Sequence, residues 1–383
     1  MSRWIRLWAW AILSLLSLFG GILSVGAEDG AEAITLPHEY AEMEDRLPAE
    51  LTELLPEGLF SEDTREVLTA AETLTDWQYL LRVFLSALGL RLSEALGLLC
   101  SLLGLLLVAA VMGRLRESLG GGSGDAFGLC LRLALYSAIV LQTAGMVEVV
   151  QTFFTQLSTL MEGMIPVMGI LYALGGNVGQ AAVSAELLTV ALTVCEYIFA
   201  TVTPPVCAVC MAFSLMDAFG MRWSLSPLRD RVKRGYASVV GLAMFLLSLS
   251  LSAQSVLTSG ADTLGMRGLK HMVGNMIPVV GGAVAGSLGT VAAGVSLLRG
   301  VFGVSGIILI ALLLLPTLVQ LLLLRTTLLL AADLGSLLSC DGEAKLLNEM
   351  ASLHGYLAAA VSVCSVTFIL GLTVLVKTAA AIG

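Results

Sequence analysis

Between Val304 and Leu324 the chain runs for twenty-one residues without a charged side chain, and several other stretches come close to the same. About 20 such residues are what an α-helix needs to cross the hydrocarbon core of a bilayer. Hydrophobic residues make up 57% of the chain and charged residues 13%, the latter about half the share of a soluble domain. A soluble fold must keep much of its exterior compatible with water, so it cannot hide this much apolar surface. The expected fold class is therefore all-α: a multi-pass transmembrane helical bundle.

Charge is unevenly distributed. Residues 28–79 hold fifteen acids and two bases, Arg46 and Arg65, whereas the remainder is slightly basic. No polybasic surface of the kind that binds nucleic acid is present. Arg3 and Arg6 precede an apolar core from Leu7 to about Leu23, followed by the small residues Val25-Gly26-Ala27. This is the pattern of a cleavable secretory signal, with an uncleaved anchor helix as the alternative. Three segments follow: a signal peptide over 1–27, an acidic extracytoplasmic segment over 28–93, and a multi-pass transmembrane domain over 94–383. Pro37, Pro48 and Pro56 break the acidic segment into short pieces. Its last part, 76–93, carries Arg82 and Arg91 and is expected to be an amphipathic helix at the membrane face.

The apolar runs give about nine crossings: 95–112, 126–146, 153–174, 182–202, 206–219, 236–257, 271–288, 304–324 and 356–376. Pro204-Pro205 is expected to turn the chain between the fourth and fifth. Arg222, Arg229, Arg231, Lys233 and Arg234 stand against one acid, Asp230, in a short loop, which marks it as cytoplasmic. The acidic stretch 333–354 is then expected outside, and Lys377 inside.

Met164-Ile165-Pro166-Val167-Met168-Gly169 recurs as Met276-Ile277-Pro278-Val279-Val280-Gly281, an apparent parallel internal repeat. Proline and glycine inside a membrane helix free backbone groups that only protein or water can satisfy. Broken segments at matching positions point to a translocation path; close packing through small residues is the other reading. Pro166, Gly169, Pro278 and Gly281, with Glu196, are thus the candidate pore or packing centre. Glu196 lies well inside its span, with Glu186 and Asp217 nearer span ends. Such acids face protein or water: either an ion or proton site, or a hydrogen-bonded position partnered by a base such as Arg132 or Arg299.

Six of the seven cysteines sit in apolar runs, and Cys207-Ala208-Val209-Cys210 has no second pair nearby. They are read as packing residues rather than a disulfide framework or metal site. No phosphate loop, nucleophile elbow or paired-carboxylate constellation is present, so no enzyme, cofactor or metal is expected.

The stretch MRGLKHMVGNMIPVVGG and the later VSLLRGVFGVSGIILIALLLLPTLVQLLLL, both within 266–324, resemble stage III sporulation protein AE, as does the arrangement of signal, acidic segment and spans. The resemblance implies a mother-cell protein of the outer forespore membrane. It implies partnership with the other stage III A-operon proteins and a forespore membrane partner in a secretion-like channel that sustains the forespore. The alternatives are an independent secondary transporter with a site between the repeats, and a membrane anchor whose acidic segment recruits partners.

Overall fold

The computed structural model describes residues 52 and 55–380, apart from 62, 120, 175–177, 219–224 and 251–280. The expected signal peptide and the second proline motif at 276–280, Pro278 included, lie outside the described residues; Gly281 opens a helix. The described chain is all-helical: α1 Thr64–Thr75, α2 Trp77–Leu119, α3 Gly121–Leu174, α4 Val178–Tyr197, a π segment Ile198–Val202, α5 Thr203–Ala218, α6 Ser226–Ser250, α7 Gly281–Leu337 and α8 Asp341–Ala380.

Among the described residues, six helices are long and apolar enough to cross a membrane, over Arg91–Arg114, Arg132–Val167, Glu186–Asp217, Ser226–Ser250, Ser305–Leu337 and Asp341–Thr373. Nine crossings are not confirmed: the expected run 271–288 lies largely outside the described residues, and two pairs of the other runs are each one helix. Between Met146 and Phe153 the chain has polar residues but neither Gly nor Pro. Polarity alone does not break a helix, so the runs 126–146 and 153–174 fuse into the 54-residue α3. Similarly, 76–93 continues without a break into the first span as α2.

Pro204-Pro205 does not turn the chain. The two prolines lack N–H groups and would orphan the carbonyls of Ala200 and Thr201. The helix passes through by widening to a π turn, in which the Thr203 N–H bonds to the Ile198 carbonyl. The Thr203 hydroxyl also donates to that carbonyl at 3.0 Å and pairs with the Tyr236 hydroxyl of α6 at 2.8 Å. From α3, Gln151 Nε2 donates to the carbonyls of Phe199 at 3.4 Å and Ala200 at 3.5 Å. A neighbouring side chain thus replaces what proline removed. Gln151→Leu is expected to lower stability by about 1 kcal/mol, the net worth of a typical hydrogen bond. Thermal unfolding of the two proteins in the same detergent checks this; equal midpoints would show that the bulge does not need Gln151.

The core is the antiparallel hairpin of α7 and α8, whose apolar windows are each 61% buried, against 17% for Arg91–Arg114 of α2. Ser339 ends α7 in the left-handed conformation, at φ 62°. The Cys340 N–H then closes back on the Gly335 carbonyl at 2.9 Å, a Schellman stop that lets two long helices reverse in three residues. The other helices align along this hairpin. Leu106 of α2 lies beside Gly335 near its tip, and Arg132 of α3 pairs with Glu343 at 3.0 Å. Further along, Met164 of α3 and Leu372 of α8 both meet Gly306 of α7, while Arg325 lies over Gly355.

These contacts overturn one expectation of topology. The described part of the basic segment, 225–235, and the acidic stretch 333–354, expected on opposite faces, share one end of the bundle. Arg229 and Lys233 bond directly to Glu349. The reason is electrostatic: these opposite charges pair across helices instead of each marking its own side.

Candidate groove between two helices

Polar side chains recur along one face of α3: Glu148, Gln151, Thr152, Thr155, Thr159 and Glu162. Gln151 apart, which adjoins Thr152, their spacing of three or four residues puts them on a single stripe. Glu148, Thr152, Thr155 and Glu162 are exposed. On the adjoining α4, Glu186, Thr189, Thr193 and Glu196 repeat the pattern and are exposed as well. Between the two helices lies a cavity of about 200 Å³, lined by Ser158, Glu162 and Pro166 from α3 and by Thr189, Thr193 and Glu196 from α4.

Pro166 contributes more than its ring. Without an N–H at this position, the carbonyl of Glu162 one turn earlier has no helical donor. The groove therefore carries two carboxylates, three hydroxyl side chains and a freed carbonyl, and no base. The hydroxyls of Thr193 and Thr155 each donate to the carbonyl four residues back, at 2.9 Å and 3.2 Å. Their oxygens retain acceptor lone pairs. The arrangement is rich in acceptors and suits water, a proton or a hydrated cation.

Of the sequence-derived candidates, the structure brings Pro166 and Glu196 into one groove. Gly169 sits half-buried one turn further along α3, with nothing within 4 Å of where a Cβ would stand, so it is not a point of close helix approach. Among the described residues no base pairs with Glu196; the side chain of Arg299 lies outside them. Arg132, one expected partner, is taken by Glu343. Glu162, Ser158 and the threonines were not singled out from sequence, although their helical spacing in an apolar segment was a usable signal.

A second polar centre holds α5, α6 and α8 together at the hairpin end. Arg229 is 1% exposed and Lys233 2% exposed, so neither belongs to a free loop. Arg229 reaches Glu349 at 2.7 Å, Asp217 at 3.5 Å and the Ser214 hydroxyl at 3.4 Å. Lys233 reaches Glu349 at 3.3 Å and donates to Ser352 Oγ at 3.3 Å. Asp217 also accepts from the Leu225 N–H at 2.7 Å, fixing the entry to α6. Two bases face two buried or half-buried acids, with Asp230 at the rim, so the cluster is close to neutral. Its geometry ties helices. Cys207 and Cys210 are buried free thiols.

The family model for stage III sporulation protein AE matches residues 60–379, from before α1 to the last turn of α8. No curated protein and no solved structure matches the chain.

Proposed function

Because the chain belongs to the stage III sporulation protein AE family, a family of sporulation membrane proteins, we propose that it is the membrane subunit of a channel complex joining mother cell and forespore. Its partners in this reading are the other stage III A-operon proteins and a forespore membrane protein. It would sit in the outer forespore membrane. The observation that carries the reading is the family match over 60–379, together with a helical body that has a polar groove on its outer face. That groove belongs to a surface that other subunits or an aqueous path can use. Tagged chain purified from sporulating cells should bring the partner proteins with it. Recovery of the chain alone, from cells in which the partners are present and soluble in the same detergent, would overturn the reading.

In orientation, the hairpin end faces the mother-cell cytoplasm. Arg132 pairs with Glu343 at that end, and Arg231 and Arg234 flank the Lys233 that bonds Glu349 there, as positive residues do on the cytoplasmic side. A cysteine introduced at exposed Arg231 should resist a membrane-impermeant thiol reagent in intact cells and react after permeabilisation. Reaction in intact cells would invert the topology.

The acceptor-rich groove also favours a second reading, an independent secondary transporter, since a proline-interrupted helix beside intramembrane acids is a common substrate-site design. Glu196→Gln separates the two. A transporter needs the carboxylate itself, so ion uptake into vesicles holding only this chain should be lost in the variant. A complex subunit shows no such uptake even with Glu196 intact.

A further inference from the structure

We propose that Cys195, Met244 and Cys364 form a binding site for a soft monovalent cation, Cu(I), inside the membrane body. The three residues come from α4, α6 and α8, and each lies within an apolar span: Glu186–Asp217, Ser226–Ser250 and Asp341–Thr373. Each is at most 1% exposed. The Cys195 thiol donates to Met244 Sδ at 3.8 Å, and Cys364 is hydrogen-bonded to Cys195. A thiol has one proton to give, and that of Cys195 points at Met244. The proton between the two cysteines is therefore that of Cys364, and the three sulfurs form a chain with Cys195 at its centre. Other side chains on the same helices take a different outlet. Ser362, Ser365 and Thr367 of α8 each donate to the carbonyl four residues back, at 2.7–3.0 Å, as Thr193 of α4 does at 2.9 Å. Cys195 and Cys364 turn instead to sulfurs on neighbouring helices.

The spacing accommodates an ion. Two sulfurs 3.8 Å apart, each about 2.3 Å from a shared metal, subtend an angle of about 110° at it, close to the tetrahedral value. An ion can therefore enter between them with little movement of the helices. Donor chemistry selects which ion. Thiolate and thioether sulfur favour soft ions such as Cu(I), whereas Mg²⁺, Ca²⁺ and Mn²⁺ prefer oxygen. Structural Zn²⁺ sites take four ligands; here three sulfurs converge, and one is a thioether. Charge points the same way. When Cu(I) binds, a copper–sulfur bond forms at Cys195, its S–H bond breaks and the proton leaves to bulk water; no electron moves. One monovalent cation with one thiolate is neutral, which matters because an uncompensated charge in an apolar interior is expensive. The Tyr236 hydroxyl, bonded to Thr203, lies near Cys364 and supplies a polar group behind the ligands, of the kind that steadies a metal site.

The test uses the full-length chain purified in detergent under reducing conditions, with exposed Cys100 and Cys130 replaced by serine. Cu(I) is supplied in competition with a coloured Cu(I) chelator. The chain is expected to withdraw one equivalent of copper from it. X-ray absorption should show copper bound by sulfur alone, with bonds of about 2.3 Å. Cys195→Ser and Cys364→Ser should each abolish the withdrawal. Met244→Leu, which conserves volume, should weaken it by about tenfold or more. Should the serine variants fail to fold, the rise in thermal midpoint on adding Cu(I) decides: it should appear in the parent and shrink in Met244→Leu at the same copper level. No withdrawal by the parent, equal withdrawal by the Cys195→Ser, Cys364→Ser double variant, an equal midpoint rise in Met244→Leu, or nitrogen and oxygen ligands in the spectrum would each overturn the proposal and leave the sulfurs as packing groups. Binding needs no other sporulation protein, so it can fail while the channel-complex reading stands.

Discussion

Replacing Arg229 with leucine is expected to destabilise the folded chain by about 3–5 kcal/mol, the usual cost of removing one partner from a buried ion pair. Arg229 is among the largest fully buried side chains in the molecule. Among the described residues, its loss leaves Glu349 with Lys233 alone and leaves Asp217 with only the Leu225 N–H. The second situation is the worse: an acid 3% exposed in its side chain with no counter-charge among those residues. Arg229→Leu combined with Asp217→Asn should therefore lose less than the single change, because residues sharing one network do not contribute additively. Unfolding midpoints of the three proteins in one detergent decide this. A single-variant loss below about 1 kcal/mol, in the range of surface pairs, would mean that water reaches the cluster.

Gly306→Leu should be the next most damaging change. Helices approach closely in membranes where a residue is small, and packing there supplies association that the hydrophobic effect cannot. At Gly306 the tip of Met164 occupies the space a Cβ would need, with its Sδ at 2.8 Å and Leu372 Cδ1 at 3.3 Å from that position. Three helices meet over one missing side chain. Leucine there forces α3 or α8 away from α7, at a cost of about 1–3 kcal/mol for overpacking. Because the obstructing atoms end a flexible chain, Met164→Ala should rescue Gly306→Ala to near the parent midpoint. Failure of that rescue would show that the backbone itself sets the spacing.

How much of this was legible in the sequence differs from element to element. Uncharged runs such as 304–324 give the helices reliably, because a membrane leaves the backbone few options. Their division into crossings was less legible. The reading that turned the chain at Pro204-Pro205 counted what proline removes but not what Gln151, some fifty residues earlier, supplies. The break placed near Glu148 took polarity for a helix end. The basic segment 221–235 was found as a charge cluster, yet the burial of Arg229 and Lys233 depends on Glu349, more than a hundred residues away. Sequence spacing carries no information about such a pairing. At the groove, Pro166 and Glu196 were each visible as anomalies within apolar runs. That they share one cavity depends on the antiparallel register of α3 and α4, which only the fold provides. The pairing of the two proline motifs falls on residues outside those described.

The α7–α8 hairpin has a bearing on how the molecule is made. It is the most buried part of the described bundle, and it is synthesised after the helices it holds. Until residue 305 has emerged, α2 and α3 have each other to pack on but not the surface of α7, and the parts of Leu102, Leu106 and Leu157 that it buries must wait against lipid. Helices α4 to α6 can assemble early around Tyr236 and Thr203, but their lock at Glu349 arrives only with α8. Chains cut short before α8 should therefore insert without that lock and be cleared by membrane proteases, so that the arrival of α8 acts as a checkpoint on assembly.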